Sequence, residues 1–213
     1  RLLIVTALAA WIGWWFYEKL GVTSISIPFG TPLEIGWLII PLFVLASLTL
    51  YASGVIDGID GLSGGVFMSI FAAYTALAFT QDQINLAAFC ATVVGAILAF
   101  LWFNIPPARF WMTETGSMAL TLTIPAVALL ADTLGDGKGA SVLPVIGFVL
   151  FGTVASNVIQ VTSKKVFKRK VFRIAPIHHH FEAIGWPSYK VTMRYWIISL
   201  VCALLGFILG LVS

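Results

Sequence analysis

The sequence predicts an all-α, polytopic helical membrane protein of about seven transmembrane helices, and three observations carry that prediction. Of its 213 residues, 60% are hydrophobic and only 10% are charged. A water-soluble domain carries about 25% charged residues, so this chain would present far too much apolar surface to water. Aliphatic and aromatic runs of about 18 to 20 residues recur between short polar breaks, which is the length a helix needs to cross a bilayer. The runs are continuous, whereas barrel strands would alternate over about 10 residues, so helices are the spanning elements.

The first apolar segment, 2–17, follows directly on Arg1. With no initiating methionine, the chain reads as beginning partway through a longer protein. The connection 21–33 is rich in Gly, Pro, Thr and Ser with Ile25 and Ile27 in alternation, the pattern of a small hairpin or irregular cap. Segments 35–53, 63–79, 86–103, 117–131, 142–161 and 192–212 follow, near the roughly 17 to 25 residues of a tilted span. Cys90 and Cys202 lie inside apolar runs and read as small hydrophobes. The whole chain, 1–213, is expected to form a single integral membrane domain.

Seven crossings would place the chain start and the connections after spans two, four and six on one side. That side then holds Arg1, Arg109, Lys164, Lys165, Lys168, Arg169, Lys170, Arg173, Lys190 and Arg194, ten of the twelve Lys and Arg, and leaves Lys19 and Lys138 opposite. The positive-inside rule makes the ten-cation side cytoplasmic.

Three polar clusters fall on that side. The first, Asp57-Gly58-Ile59-Asp60-Gly61-Leu62-Ser63-Gly64-Gly65, has two carboxylates three residues apart, which a helical turn would aim the same way. Such a pair suits Mg²⁺, which takes one or two carboxylates and completes its shell with water and phosphate oxygens. Two N-capping aspartates with glycines at the turns explain the pattern equally well. In the second cluster, Asn104 to Ser117, Pro106 and Pro107 end a span before Thr113, Glu114, Thr115 and Ser117 open the next. A helix start with hydroxyls can take phosphate and Glu114 can take a metal; a plain cap answering the helix dipole reads as well. The third, Ala175-Pro176-Ile177-His178-His179-His180-Phe181-Glu182, holds every histidine of the chain and follows the basic run 164–173. Three consecutive side chains cannot point one way, so some reach a ligand while others cap or pack. Contiguous histidines lack zinc-ligand spacing. The basic run reads as a topology signal contacting anionic membrane lipids, and nucleic acid is not expected as a partner.

Together the clusters resemble the phospho-N-acetylmuramoyl-pentapeptide transferase family, within the polyprenyl-phosphate N-acetylhexosamine-1-phosphate transferases, over its C-terminal two-thirds. The most specific piece is Ala175 to Glu182 with Gly185, Trp186, Val191, Arg194 and Trp196; Asp57 to Leu62 and Phe103-Asn104-x-Pro106-Pro107-Ala108 fit the wider superfamily. The resemblance implies Mg²⁺-dependent transfer of phospho-MurNAc-pentapeptide from UDP to undecaprenyl phosphate, releasing UMP, at the cytoplasmic face of the bacterial inner membrane. It implies catalytic roles for Asp57, Asp60, Glu114, His178, His179 and His180, with Glu114 and Asp57 toward the metal. Asn104, Ser117 and Gln160 would shape the substrate pocket, and a homodimer is an assembly compatible with it. The chain departs from the family pattern in four ways. It has no adjacent aspartate pair, and seven spans stand where ten are usual. Thr113-Glu114 replaces Gly-Asp, and Gly54-Val55-Ile56 stands where Asn-Leu-Thr is usual. A fragment, or a reduced or degenerate homologue, whose activity as given is open, is therefore the expectation. The alternatives are a sister transferase using UDP-GlcNAc and a non-catalytic membrane scaffold.

Overall fold

A computed structural model describes residues 2–133 and 138–212. Among them the regular structure is helical except for one small hairpin, with loops joining the helices. Helix α1 (Leu2–Leu20) leads to strands β1 (Ser24–Ile25) and β2 (Leu33–Glu34), then α2 (Ile39–Ala52) and α3 (Leu62–Thr80). Helices α4 (Ile84–Asn104), α5 (Thr113–Thr133), α6 (Gly139–Ile146), α7 (Phe148–Val166), α8 (Ile177–Ala183) and α9 (Ser188–Val212) complete it. The strands pair antiparallel, Ser24 with Glu34 and Ile25 with Leu33, so the hairpin expected between 21 and 33 is present.

All seven apolar segments are helical, but the span count is lower. Among the described residues five helices are long and apolar enough to cross a membrane, and a bent pair makes a sixth. That pair corrects the expected continuous span 142–161: α6 and α7 meet at 62°. Pro144 lies inside α6, where it withdraws a backbone donor, and Gly147 follows two residues after Val145 at the bend. The first segment falls short because the last half of α1 carries Trp14, Trp15, Tyr17, Glu18 and Lys19, residues suited to a membrane interface.

Helix α3 is the centre of the bundle: 72% of its span window is buried, against 28% for α4 and α9. Its apolar side chains, from Leu62 to Ala78, form the main core with Leu101 of α4, Ile124 and Val127 of α5, and Val191 and Ala203 of α9. Close approach at its N-terminal end requires glycine. A Cβ on Gly65 would lie 1.9 Å from the Trp196 indole nitrogen. Small residues at contacts are how membrane helices approach without a hydrophobic drive between them. A second core joins α1, α2 and α5 through Ala9, Phe16, Ile39, Phe43 and Leu129.

This packing gathers the C-terminal ends of α2, α4 and α7 with the N-terminal ends of α3, α5 and α9. Nine of the twelve Lys and Arg fall at that end, Arg109 to Arg194 as counted above, with Lys19 and Lys138 at the other and Arg1 outside the described residues.

Candidate active site

The aspartate loop is not a helical turn, and the two carboxylates separate. A short 3₁₀ turn, Ser53–Ile56, ends at Asp57, and Gly61 stands at φ +75°, a left-handed conformation that favours glycine. Asp60 turns toward the loop after α4: its Oδ2 accepts the Ala108 amide and its Oδ1 the Trp111 indole N–H, both at 3.0 Å. Asp57 turns the other way and accepts the Ser63 hydroxyl at 2.5 Å. The backbone of Thr113 also hydrogen-bonds to it. Neither aspartate caps α3, whose N-cap Gly61 makes no side-chain cap bond. The equal facing expected from their spacing is thus corrected, because the loop lacks helical dihedrals.

Asn104 is buried and explains why this loop holds its shape. Its Oδ1 accepts the Gly61 amide and its Nδ2 donates to the Phe110 carbonyl, each at 2.9 Å, so the side chain ties the first cluster to the second. Helix α9 holds the loop from the opposite flank. Thr192 donates to the Asp60 carbonyl at 3.0 Å and Trp196 Nε1 to the Gly61 carbonyl at 2.9 Å.

Asp57 lines a cavity of about 490 Å³ together with Glu114, Ser117, Tyr51, Thr113 and Trp111. Two carboxylates from separate clusters therefore share one wall-bounded space. Tyr51 donates to Glu114 Oε1 at 3.2 Å, and Ser117 sits where a Cβ on Gly54 would touch its hydroxyl at 3.5 Å. Burial, reinforced by the Asp60 charge, pushes the Asp57 carboxyl above its ordinary range, against the pull of the Ser63 and Thr113 hydrogen bonds. Cation binding would relieve that desolvated charge. No group of three or more His, Cys, Asp or Glu converges as a metal cage among the described residues. The donor set fits Mg²⁺, which needs only one or two carboxylates, and does not fit zinc.

The three histidines diverge, as their adjacency requires. His178 is fully buried with neither ring nitrogen hydrogen-bonded. Burial and the neighbouring His179 lower its pKa to about 4, with Glu182 opposing, so it is neutral at physiological pH. His179 faces the first cluster: a Cβ on Gly58 would lie 2.7 Å from its Nε2 and 3.4 Å from the Nε2 of His178. His180 turns away, its Nδ1 accepting the Arg173 amide at 3.1 Å and its ring against Phe172. Gln160 is buried and spent on backbone: its Oε1 accepts the amides of Val171 and Phe172, and its Nε2 donates to the Phe172 carbonyl. It pins the basic loop against α7 and does not line the cavity. Of the residues singled out in the sequence, then, Asp57, Glu114 and Ser117 share the cavity, and His179 stands against Gly58, the residue after Asp57. Asp60 and Asn104 brace its loops.

Tyr51, Trp111, Thr192 and Ser188 belong to the site and its supports but were not singled out. Only the spacing 188, 192, 196 on α9 could have pointed to the last two, since residues four apart share a helix face.

Comparison with known proteins bears on this geometry. Residues 1–132 match the model of the glycosyl transferase family 4. The chain belongs to that family. Phospho-N-acetylmuramoyl-pentapeptide-transferase of Rubrobacter xylanophilus is 41% identical over 171 residues, 80% of this chain and 50% of that protein. The protein of the same description from Geobacillus sp. (strain WCH70) is 39% identical over 209 residues, 96% of this chain and 62% of its own length. That from Geobacillus thermodenitrificans is 40% identical over 188 residues, 86% and 56% respectively. The family 4 chain thus spans about half to three-fifths of the relatives it matches.

Proposed function

We propose that the chain carries the metal and nucleotide side of a phospho-N-acetylmuramoyl-pentapeptide transferase. The reaction moves phospho-MurNAc-pentapeptide from UDP to undecaprenyl phosphate and releases UMP. The observation that carries the reading is the cavity in which Asp57 and Glu114 meet, in a chain about 40% identical to proteins of that description.

In this reaction an oxygen of the lipid phosphate bonds to the β-phosphorus as the bond from that phosphorus to UMP breaks. No side-chain nucleophile is required; positioning and charge neutralisation supply most of the catalysis. Mg²⁺, held by Asp57 and Glu114, would supply the neutralisation of diphosphate charge. The Trp111 ring stands at the cavity wall with its N–H tied to Asp60, a rigid face suited to stacking a uracil base. Ser117 lines the same space with its hydroxyl donating to the Glu114 carbonyl at 3.3 Å, and the His179 ring stands against Gly58. The excess of cations at this end supports a cytoplasmic site in the inner membrane, where a water-soluble nucleotide sugar arrives and the lipid phosphate presents its head group.

The test is UMP release from UDP-MurNAc-pentapeptide with undecaprenyl phosphate and Mg²⁺, with EDTA and with UDP-GlcNAc as controls. Metal-dependent release with the pentapeptide donor is expected of a complete site. UDP bound without turnover places the remaining catalytic groups outside this chain, and failure to bind UDP overturns the reading.

A further inference from the structure

His179 does not stand alone behind Gly58. Its Nδ1 lies 2.7 Å from Glu182 Oε2, one helical turn on in α8, and Glu182 Oε1 accepts the Ser188 hydroxyl at 2.6 Å. Both oxygens of that carboxylate are therefore occupied, one by the imidazole and one by the first residue of α9. Ser188, Thr192 and Trp196 are spaced four apart on α9, and the latter two hold the carbonyls of Asp60 and Gly61. One face of α9 thus sets the imidazole and the aspartate loop against each other. Burial raises the Glu182 carboxyl, but the hydrogen bonds from Ser188 and His179 and the nearby imidazoles outweigh it and hold it below its ordinary range, so it is an acceptor at neutral pH. An acceptor at Nδ1 places the proton of a neutral ring on that nitrogen, which leaves Nε2 with a free lone pair.

We propose that Glu182 is a positioning residue: with Ser188 it holds His179 in the Nδ1–H form, so that the Nε2 lone pair is turned toward the aspartate loop as a hydrogen-bond acceptor for a ligand bound beside that loop. The ligand group it fits is the hydroxyl of a singly protonated phosphate monoester, whose proton can pass to Nε2 to leave an imidazolium between Glu182 and the dianion. This assignment of a phosphate partner rests on the reading of the site as a nucleotide-sugar transferase.

The experiment is ¹⁵N-histidine NMR of the full chain in micelles at pH 8, with His179 assigned by loss of its signals in His179→Asn. The expected spectrum has a protonated Nδ1 and a pyridine-like Nε2 before any ligand is added. Glu182→Ala should convert His179 to the Nε2–H form common in free imidazole, and Ser188→Ala should shift the same equilibrium part of the way. The tautomer is read at pH 8 and UMP is then added at pH 6, near its second pKa of about 6, where the singly protonated phosphate is populated; there it should move the Nε2 resonance of the wild type and bind Glu182→Ala about tenfold more weakly, the loss of one charge-assisted contact. An Nε2–H ring in the wild type overturns the proposal, as does a tautomer unchanged in Glu182→Ala. A correct tautomer in a chain that binds neither UDP nor UMP overturns instead the functional reading, leaving the positioning role in place.

Discussion

At the scale of single residues, the site is defined by what each polar group is left to do after its backbone neighbours are satisfied. Asp60, Asn104 and Gln160 have their side-chain atoms committed to backbone amides, carbonyls or an indole. Asp57 and Glu114 face a common cavity. Because burial raises the Asp57 carboxyl, the sign of its linkage is that of a group favoured protonated in the fold. Its contribution is fully present below the unfolded value and is lost as pH rises through the folded one. Asp57→Asn should therefore melt higher than wild type above that range in metal-free buffer while losing Mg²⁺-dependent UDP binding; thermal melts and calorimetry check the two effects. His178 runs oppositely. Its pKa falls from 6.5 to about 4, so stability is present above 6.5 and is lost as pH drops from 6.5 toward 4, by roughly 3 kcal/mol. Melting His178→Leu between those pH values should show that slope abolished. A methyl at position 58 meets the His179 ring, so Gly58→Ala should weaken UDP binding with little change in melting temperature.

At the scale of elements, helix α9 orders the site through one face. Thr192→Val and Trp196→Phe each remove a donor from a loop carbonyl, at a cost of about 1 to 3 kcal/mol where the carbonyl is left buried without a partner. Both variants should lower UDP affinity though neither touches the cavity, and combining them should give less than the sum, since both hold the same loop. The bend between α6 and α7 is legible in Pro144 and Gly147 only after the fact, because apolar composition alone makes 142–161 one span. The divergence of Asp57 and Asp60 was also hidden. A spacing of three speaks of one face only if the segment is helical, and the left-handed Gly61 makes it a loop.

At the scale of the molecule, charge asymmetry and packing agree on one functional end. With that end cytoplasmic, a cysteine introduced at Lys168 should react with an impermeant maleimide only in inverted vesicles, and one at Phe29 only in right-side-out cells; the reverse pattern would invert the topology. Composition, apolar run length and the distribution of Lys and Arg by themselves determined a helical membrane protein and the three clusters that carry its chemistry. Those properties are local sums along the chain, and solvent transfer free energy acts on each segment almost independently. Only the tertiary structure decided that Asp57 and Glu114 share a cavity, that Asp60 and Asn104 brace its loops, and that His178 and His179, but not His180, stand against Gly58. Those outcomes depend on side-chain direction and on hydrogen bonds between residues 43 to 135 positions apart, which no local pattern encodes.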